Sequence, residues 1–172
     1  MWLYTKTKVA GHRRLQFQSL DEVLAEAEHL ATVSTRQLGH WTLGQILVHL
    51  AAAYEKSLDG YDYRPGWPLR LLLRLVGPLG KQWVLRRGMP AGVRPPARIF
   101  QEIAPPDDAT TEEGLRAFRA AIHRLQTEVR DEAKMFHIFT RDELDQFHMR
   151  HAELHLGYIV PIDESQSSPA GL

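Results

Sequence analysis

Cysteine is absent from this 172-residue chain. Its absence excludes disulfides and thiolate ligands, so any bound metal must be held by nitrogen or oxygen. An excess of one charge is missing too, since Lys+Arg and Asp+Glu each number 21. No global field recruits nucleic acid, and no helix face alternates aromatic and basic residues as a nucleic-acid groove would. Residues 1–14 contain no apolar run followed by a cleavage site, so no secretion signal is expected. The greasiest stretch, Pro68–Val76, carries Arg70 and Arg74 and is too short to span a bilayer. The expectation is a cytoplasmic protein with no transmembrane segment. Neither a Gly-rich phosphate loop, nor a Ser-His-Asp order, nor an HExxH motif, nor an internal repeat is present. What remains is a chain with 44% hydrophobic residues, enough for one folded domain over residues 1–172.

Helix signals dominate. Ser/Thr followed three residues later by Glu/Gln, the spacing of a capping box, occurs at Ser19–Glu22, Thr42–Gln45, Thr110–Glu113 and Thr140–Glu143. The first opens a helix with Leu20, Val23, Leu24, Ala27 and Leu30 inward, ending before Ser34. The second opens a helix to Leu58, with Leu43, Ile46, Leu47, Leu50, Tyr54 and Ser57 on one face and Asp59–Gly60 as its stop. The third carries Leu115, Phe118, Ile122, Leu125 and Val129 at steps of three and four and is predicted to reach Ala133. Residues 1–18 read as an extended polar arm, and residues 163–172 as a loose tail. A connection over residues 61–109 separates helices two and three. It is predicted to hold one or two short helices between Pro68 and Arg87, broken at Gly77–Pro78, followed by a proline-rich irregular stretch. No strand is predicted. The expected fold is all-α, a four-helix bundle whose long crossover makes helices two and three parallel.

The fourth helix carries the chemistry. Its apolar stripe runs Leu144, Phe147, position 151, Leu154, Tyr158, and position 151 is histidine. His155 follows one turn later, so two imidazoles project from one face within about 6 Å of each other at Cβ. His49, in ILVHLA, borders the inward face of helix two, near Ala53. Burying an imidazole costs free energy unless its nitrogens are satisfied, and three at the edge of one core are hard to explain by packing. Neutral imidazoles are ligands for zinc, nickel, copper or iron(II), with zinc or nickel favoured here, and three of them leave coordination positions open for water or substrate. His49, His151 and His155 are the candidate metal ligands.

GHWTLGQILVHLAAAYEKSLDG and HMRHAELHLGYI resemble the second and last helices of an uncharacterised branch of the DinB-like superfamily. The likeness also takes in RRLQFQSLDEVLAE and GMPAGVRPP, and spans about Arg13 to Ile159. It implies a four-helix bundle with a long crossover between helices two and three, and a divalent metal held by one histidine of helix two and two of helix four. On this chain those are again His49, His151 and His155. The branch has a histidine where Leu154 stands and a polar residue where Val48 stands. The resemblance further implies a homodimer and a small-molecule substrate, with Lewis-acid chemistry on water or a low-molecular-weight thiol: a hydrolase, or a thiol-dependent transferase or isomerase. The other reading is a non-catalytic module that dimerises or binds a partner, its metal structural or lost.

Further residues complete the inventory. His148 is a candidate general base, a group buttressing a ligand or an occasional ligand itself; otherwise it is a boundary histidine touching water at the bundle mouth. His40 lies about 13 Å along the helix axis from His49 and should not share the site. His12, His29, His123 and His137 read as surface or loop residues. Trp41 reads as a staple at the start of helix two, and Trp67 and Trp83 as plugs of the bundle's open end. Glu55 and Asp59 are not expected to be ligands. Between Arg64 and Gln101 stand eight basic residues (Arg64, Arg70, Arg74, Lys81, Arg86, Arg87, Arg94, Arg98) and no acid. They would form a solvated basic face, hold an anionic substrate over the metal, or bring Pro68–Val76 to a membrane surface.

Overall fold

Threonine caps set where three of the main helices begin. The computed structural model describes residues 10–63, 66–128 and 139–162. In chain order its elements are α1 (Leu20–Thr32), β1 (Thr35–Gln37), α2 (Leu43–Asp59), α3 (Trp67–Arg87), α4 (Ala97–Ile103), α5 (Thr111–Thr127), α6 (Arg141–Leu156) and β2 (Ile159–Pro161). The fold is all-α apart from the two short strands. Complete capping boxes open α2, α5 and α6: Thr42, Thr110 and Thr140 each accept from the third helical amide, and Gln45, Glu113 and Glu143 reach back. The α1 start differs in one detail. Ser19 accepts from the Glu22 amide, but the Glu22 carboxylate takes the amide of Gln18, one residue further out.

Helices α1, α2, α5 and α6 surround one core. Val23, Ala27, Leu47, Leu50, Phe118 and Leu156 are among its fully buried members. The closest pairing is α2 with α5, and small residues make it possible. A Cβ on Gly44 would fall 2.5 Å from the carbonyl oxygen of Ala109, and one on Gly114 would fall 2.7 Å from that of Gly44. Contacts climb both helices together. Gly44 meets Gly114, Tyr54 meets Phe118 with ring centroids 5.4 Å apart, and Asp59 meets Arg124 at 2.9 Å. Helices α2 and α5 therefore run side by side in the same direction, an arrangement that the long connection between them makes possible.

Tertiary contacts correct several sequence expectations. Patterning predicts a polar arm before α1, yet Phe17 is buried. The Phe17 amide donates to the buried Glu153 carboxylate at 2.8 Å, and the Arg13 amide to the Gly157 carbonyl at 3.0 Å. This segment is a strap across the end of α6; residues 1–9 lie outside the described residues. No strand is predicted, but β1 and β2 pair antiparallel, with Arg36 opposite Val160. Three residues are too few for an alternating pattern to be visible in sequence. A break is predicted at Gly77–Pro78, but α3 runs through both. Proline removes one donor and crowds a carbonyl one turn back. On a helix lying outside the core, water can satisfy the freed group.

The proline-rich stretch after α3 is not wholly irregular. It contains α4, whose Ile99 and Ile103 enter the core. Trp67 and Trp83, predicted to plug the bundle, are instead 76% and 45% exposed, because α3 lies outside the four-helix core. Helix α5, predicted to reach Ala133, ends at Thr127, where Glu128 turns extended and its carboxylate binds Arg124. Val129, Ala133, His137, Arg64 and the tail from 163 fall outside the described residues.

Candidate metal centre

His49 sits midway along α2 on the side facing α6, and only 4% of its surface is exposed. Its Nδ1 lies 2.9 Å from the carbonyl oxygen of Ile103, at the end of α4. A carbonyl can only accept, so Nδ1 carries the proton and donates. The neutral ring then presents a bare lone pair at Nε2. That lone pair points at His151, whose Nε2 is 3.2 Å away. His155 joins them from the next turn of α6. Its ring centroid is 4.7 Å from that of His49 and 4.8 Å from that of His151. One nitrogen from each of the three rings lies within 4.8 Å of the others. His49 is buried, whereas His151 and His155 are half-buried.

Electrostatics keep the rings neutral. Burial pushes the His49 pKa below the usual imidazole range, although the Ile103 hydrogen bond opposes this in part. His151 is driven well below that range by burial and by the neighbouring rings of His155, His49 and His148. His155 falls to about 3, from burial first and then from His49 and His12. Neutral imidazoles are the form that binds metal, so no proton need be expelled near neutral pH.

The donor set fits a divalent cation. Two nitrogens sharing one zinc at about 2.0–2.1 Å each lie roughly 3–3.4 Å apart, which matches the His49–His151 approach. The carbonyl behind His49 is the kind of outer partner that fixes the tautomer of a ligating histidine. All three residues picked from the sequence meet at this point.

The other histidines separate. His148 is only 1% exposed, so of its two readings the one that made it a boundary residue touching water at the bundle mouth is corrected. The inward face of α6 is centred on Leu144, His148, Ala152 and Leu156, which turns the stripe through Phe147 and His151 to its flank. The Tyr54 hydroxyl donates to the His148 carbonyl at 2.9 Å. The His148 Nε2 lies 2.9 Å from Ser57 Oγ, which itself donates to the Tyr54 carbonyl. Burial, reinforced by the charges of Asp145 and Glu153, raises the Tyr54 pKa. His12 lies in the loop segment before α1, as expected of a surface or loop residue, but it is half-buried. Its Nε2 is 3.0 Å from the Leu154 carbonyl, and its ring stands edge-on to Tyr158 at 4.5 Å. His29, His40 and His123 are exposed. Asp59 is paired with Arg124.

Sequence reasoning missed two contributors. Trp41, read as a staple, lies against the site: its ring is 4.8 Å from His49 and stacks near-parallel on His155 at 5.7 Å and on Phe100 at 6.3 Å. Its place immediately before the α2 cap, two turns from His49, was the only available signal. The Ile103 carbonyl is a backbone group and leaves no mark on residue identity.

No curated protein and no solved structure matches the chain. A family model described as a protein of unknown function, DUF1569, matches residues 9–162, a span that includes all three clustered histidines. The chain therefore belongs to the DUF1569 family, whose function its description leaves unassigned.

Proposed function

We propose that the protein is a divalent-metal-dependent enzyme of the DinB-like type, acting on a small molecule through the His49–His151–His155 cluster. The observation that carries this reading is the approach of His49 Nε2 to His151 Nε2 at 3.2 Å, with His49 Nδ1 already committed to the Ile103 carbonyl. Two neutral rings that close gain most from a shared cation. Nitrogen donors suit zinc or nickel, with iron(II) third. The bound ion would supply Lewis acidity, making water or a low-molecular-weight thiol nucleophilic at neutral pH. The partial exposure of His151 and His155 leaves the cluster an approach from outside, which suits an open site better than a closed structural one.

The chain's own residues divide the remaining work. Ile103 orients His49, and Trp41 gives one wall of the site a flat apolar surface that excludes water from the imidazoles. His148 serves as a positioning residue and not as the base. Through Ser57 and Tyr54 it ties α6 to α2 one turn from His151.

The test is elemental analysis of untagged protein purified without chelator. The expected result is about one equivalent of metal, lost in His151→Ala with helicity unchanged by circular dichroism. A metal-free wild type that also fails to take up zinc or nickel on titration would sink the proposal. With metal established, ester substrates and thiol acceptors distinguish the hydrolase from the transferase. A protein that unfolds when the metal is stripped and turns over nothing in that panel would be the structural module instead.

A further inference from the structure

Helix α3 has an uncovered apolar stripe. Trp67, Leu71, Leu75, Leu79 and Trp83 recur every fourth residue, and all are exposed, from 45% at Trp83 to 76% at Trp67. Val76 adds to the same side at 47%. Six large apolar groups on one helix exceed the scattered exposure of an ordinary surface. The described ties of α3 to the core sit in its C-terminal half. Leu85 is buried, Lys81 pairs with Glu143 at 2.8 Å, and Arg150 donates to the Leu85 carbonyl. Those ties leave the stripe from Trp67 to Trp83 exposed.

Charge identifies the occupant. From residue 64 to residue 101 there are eight basic residues and no acid. Arg86 and Arg87 at the end of α3, and Arg94 and Arg98 beyond it, are exposed. A second copy docking through this face by two-fold symmetry would set one basic segment against the other, so self-association is disfavoured. Tryptophan at both ends of an apolar stripe, flanked by arginine, suits the boundary between headgroups and acyl chains. Helix α3 does not qualify to cross a membrane, and no other helix among the described residues does. We propose that α3 is an interfacial helix that docks the protein on an anionic lipid surface, independently of the metal cluster.

Vesicle co-sedimentation of the full chain tests this, with phosphatidylcholine alone or mixed with phosphatidylglycerol. The expected result is about tenfold or greater preference for the anionic vesicles, a blue shift of tryptophan emission on binding, and weakening by salt. The double variant Leu75→Glu/Leu79→Glu should lose binding by a similar factor. Arg86→Glu/Arg87→Glu should lose the anionic preference, and it serves as the second variant if the first misfolds by circular dichroism. Equal sedimentation with both vesicle types, or no sedimentation with either, overturns the proposal. So does a Leu75/Leu79-dependent dimer that ignores vesicles, or capture by soluble polyglutamate in place of vesicles; these would assign the face to a second copy or to an acidic protein.

Discussion

Helix α3 has seven leucines in 21 residues, and α6 has three in 16. Composition alone would bury α3 and leave α6 at the surface. The molecule does the reverse: Leu144 and Leu156 of α6 have no exposed surface, while Leu71, Leu75 and Leu79 of α3 are 52%, 70% and 72% exposed. The reason is position. Helix α6 is held by the N-terminal strap at one end, by α1 and α2 along its length, and by the β1–β2 pair just beyond it. It can therefore afford polar groups on its inner side, because each finds a partner there. His148 meets Ser57, His151 meets His49, and Glu153 takes the Phe17 amide and Arg150. Among the described residues, the ties of α3 lie near its C-terminal end, and Leu71, Leu75 and Leu79 stay exposed.

This contrast can be broken by the same substitution made in both helices. The largest effect is expected for Leu156→Ala, which leaves a cavity in the core where Leu156 is fully buried. It should cost about 2–5 kcal/mol in denaturant unfolding of the metal-free protein. A loss below 1 kcal/mol, on the order of one exposed contact, would mean that Leu156 does not anchor α6 in the core. Lowering the pH should produce the next effect. His49, His151 and His155 have depressed folded-state pKa values, so between those values and about 6.5 the unfolded chain binds more protons than the folded one. Stability of the metal-free protein is then fully present above about pH 6.5 and falls as the pH drops below it. His151→Ala should flatten that slope, and a slope unchanged by the substitution would contradict the crowding of the three rings. Helix α3 contains no histidine and should contribute nothing to it. The smallest effect is expected for Leu79→Ala, within about 0.5 kcal/mol, because a side chain already in water has little to lose.

Much of the candidate centre was legible because it rests on local periodicity. His151 and His155 are one turn apart, so any helix through them presents both on one side. His49 borders the apolar face of a helix whose cap and stop are both written in Thr42–Gln45 and Gly60. The same logic located the starts of α2, α5 and α6. It misjudged which stripe of α6 turns inward, since Phe147 and Leu154 look as apolar as Met149 and Ala152, and only the neighbouring helices decide between them. It also passed over His12 and Phe17. Their burial depends on α6, more than a hundred residues later in the chain, and no local pattern encodes so distant a contact.

Residue order alone determined that this chain would be helical, where its principal helices would start, and which three imidazoles could share an ion, because capping and the 3.6-residue turn act over a few neighbouring residues. Only tertiary packing decided that the Ile103 carbonyl would fix the tautomer of His49, that Trp41 would wall the cluster, that His148 would be sealed against Ser57, and that Leu71, Leu75 and Leu79 of α3 would remain exposed. Those outcomes depend on distances between segments far apart in the chain, set by how closely the glycines of α2 and α5 let their backbones approach and by which faces the remaining helices then have room to bury.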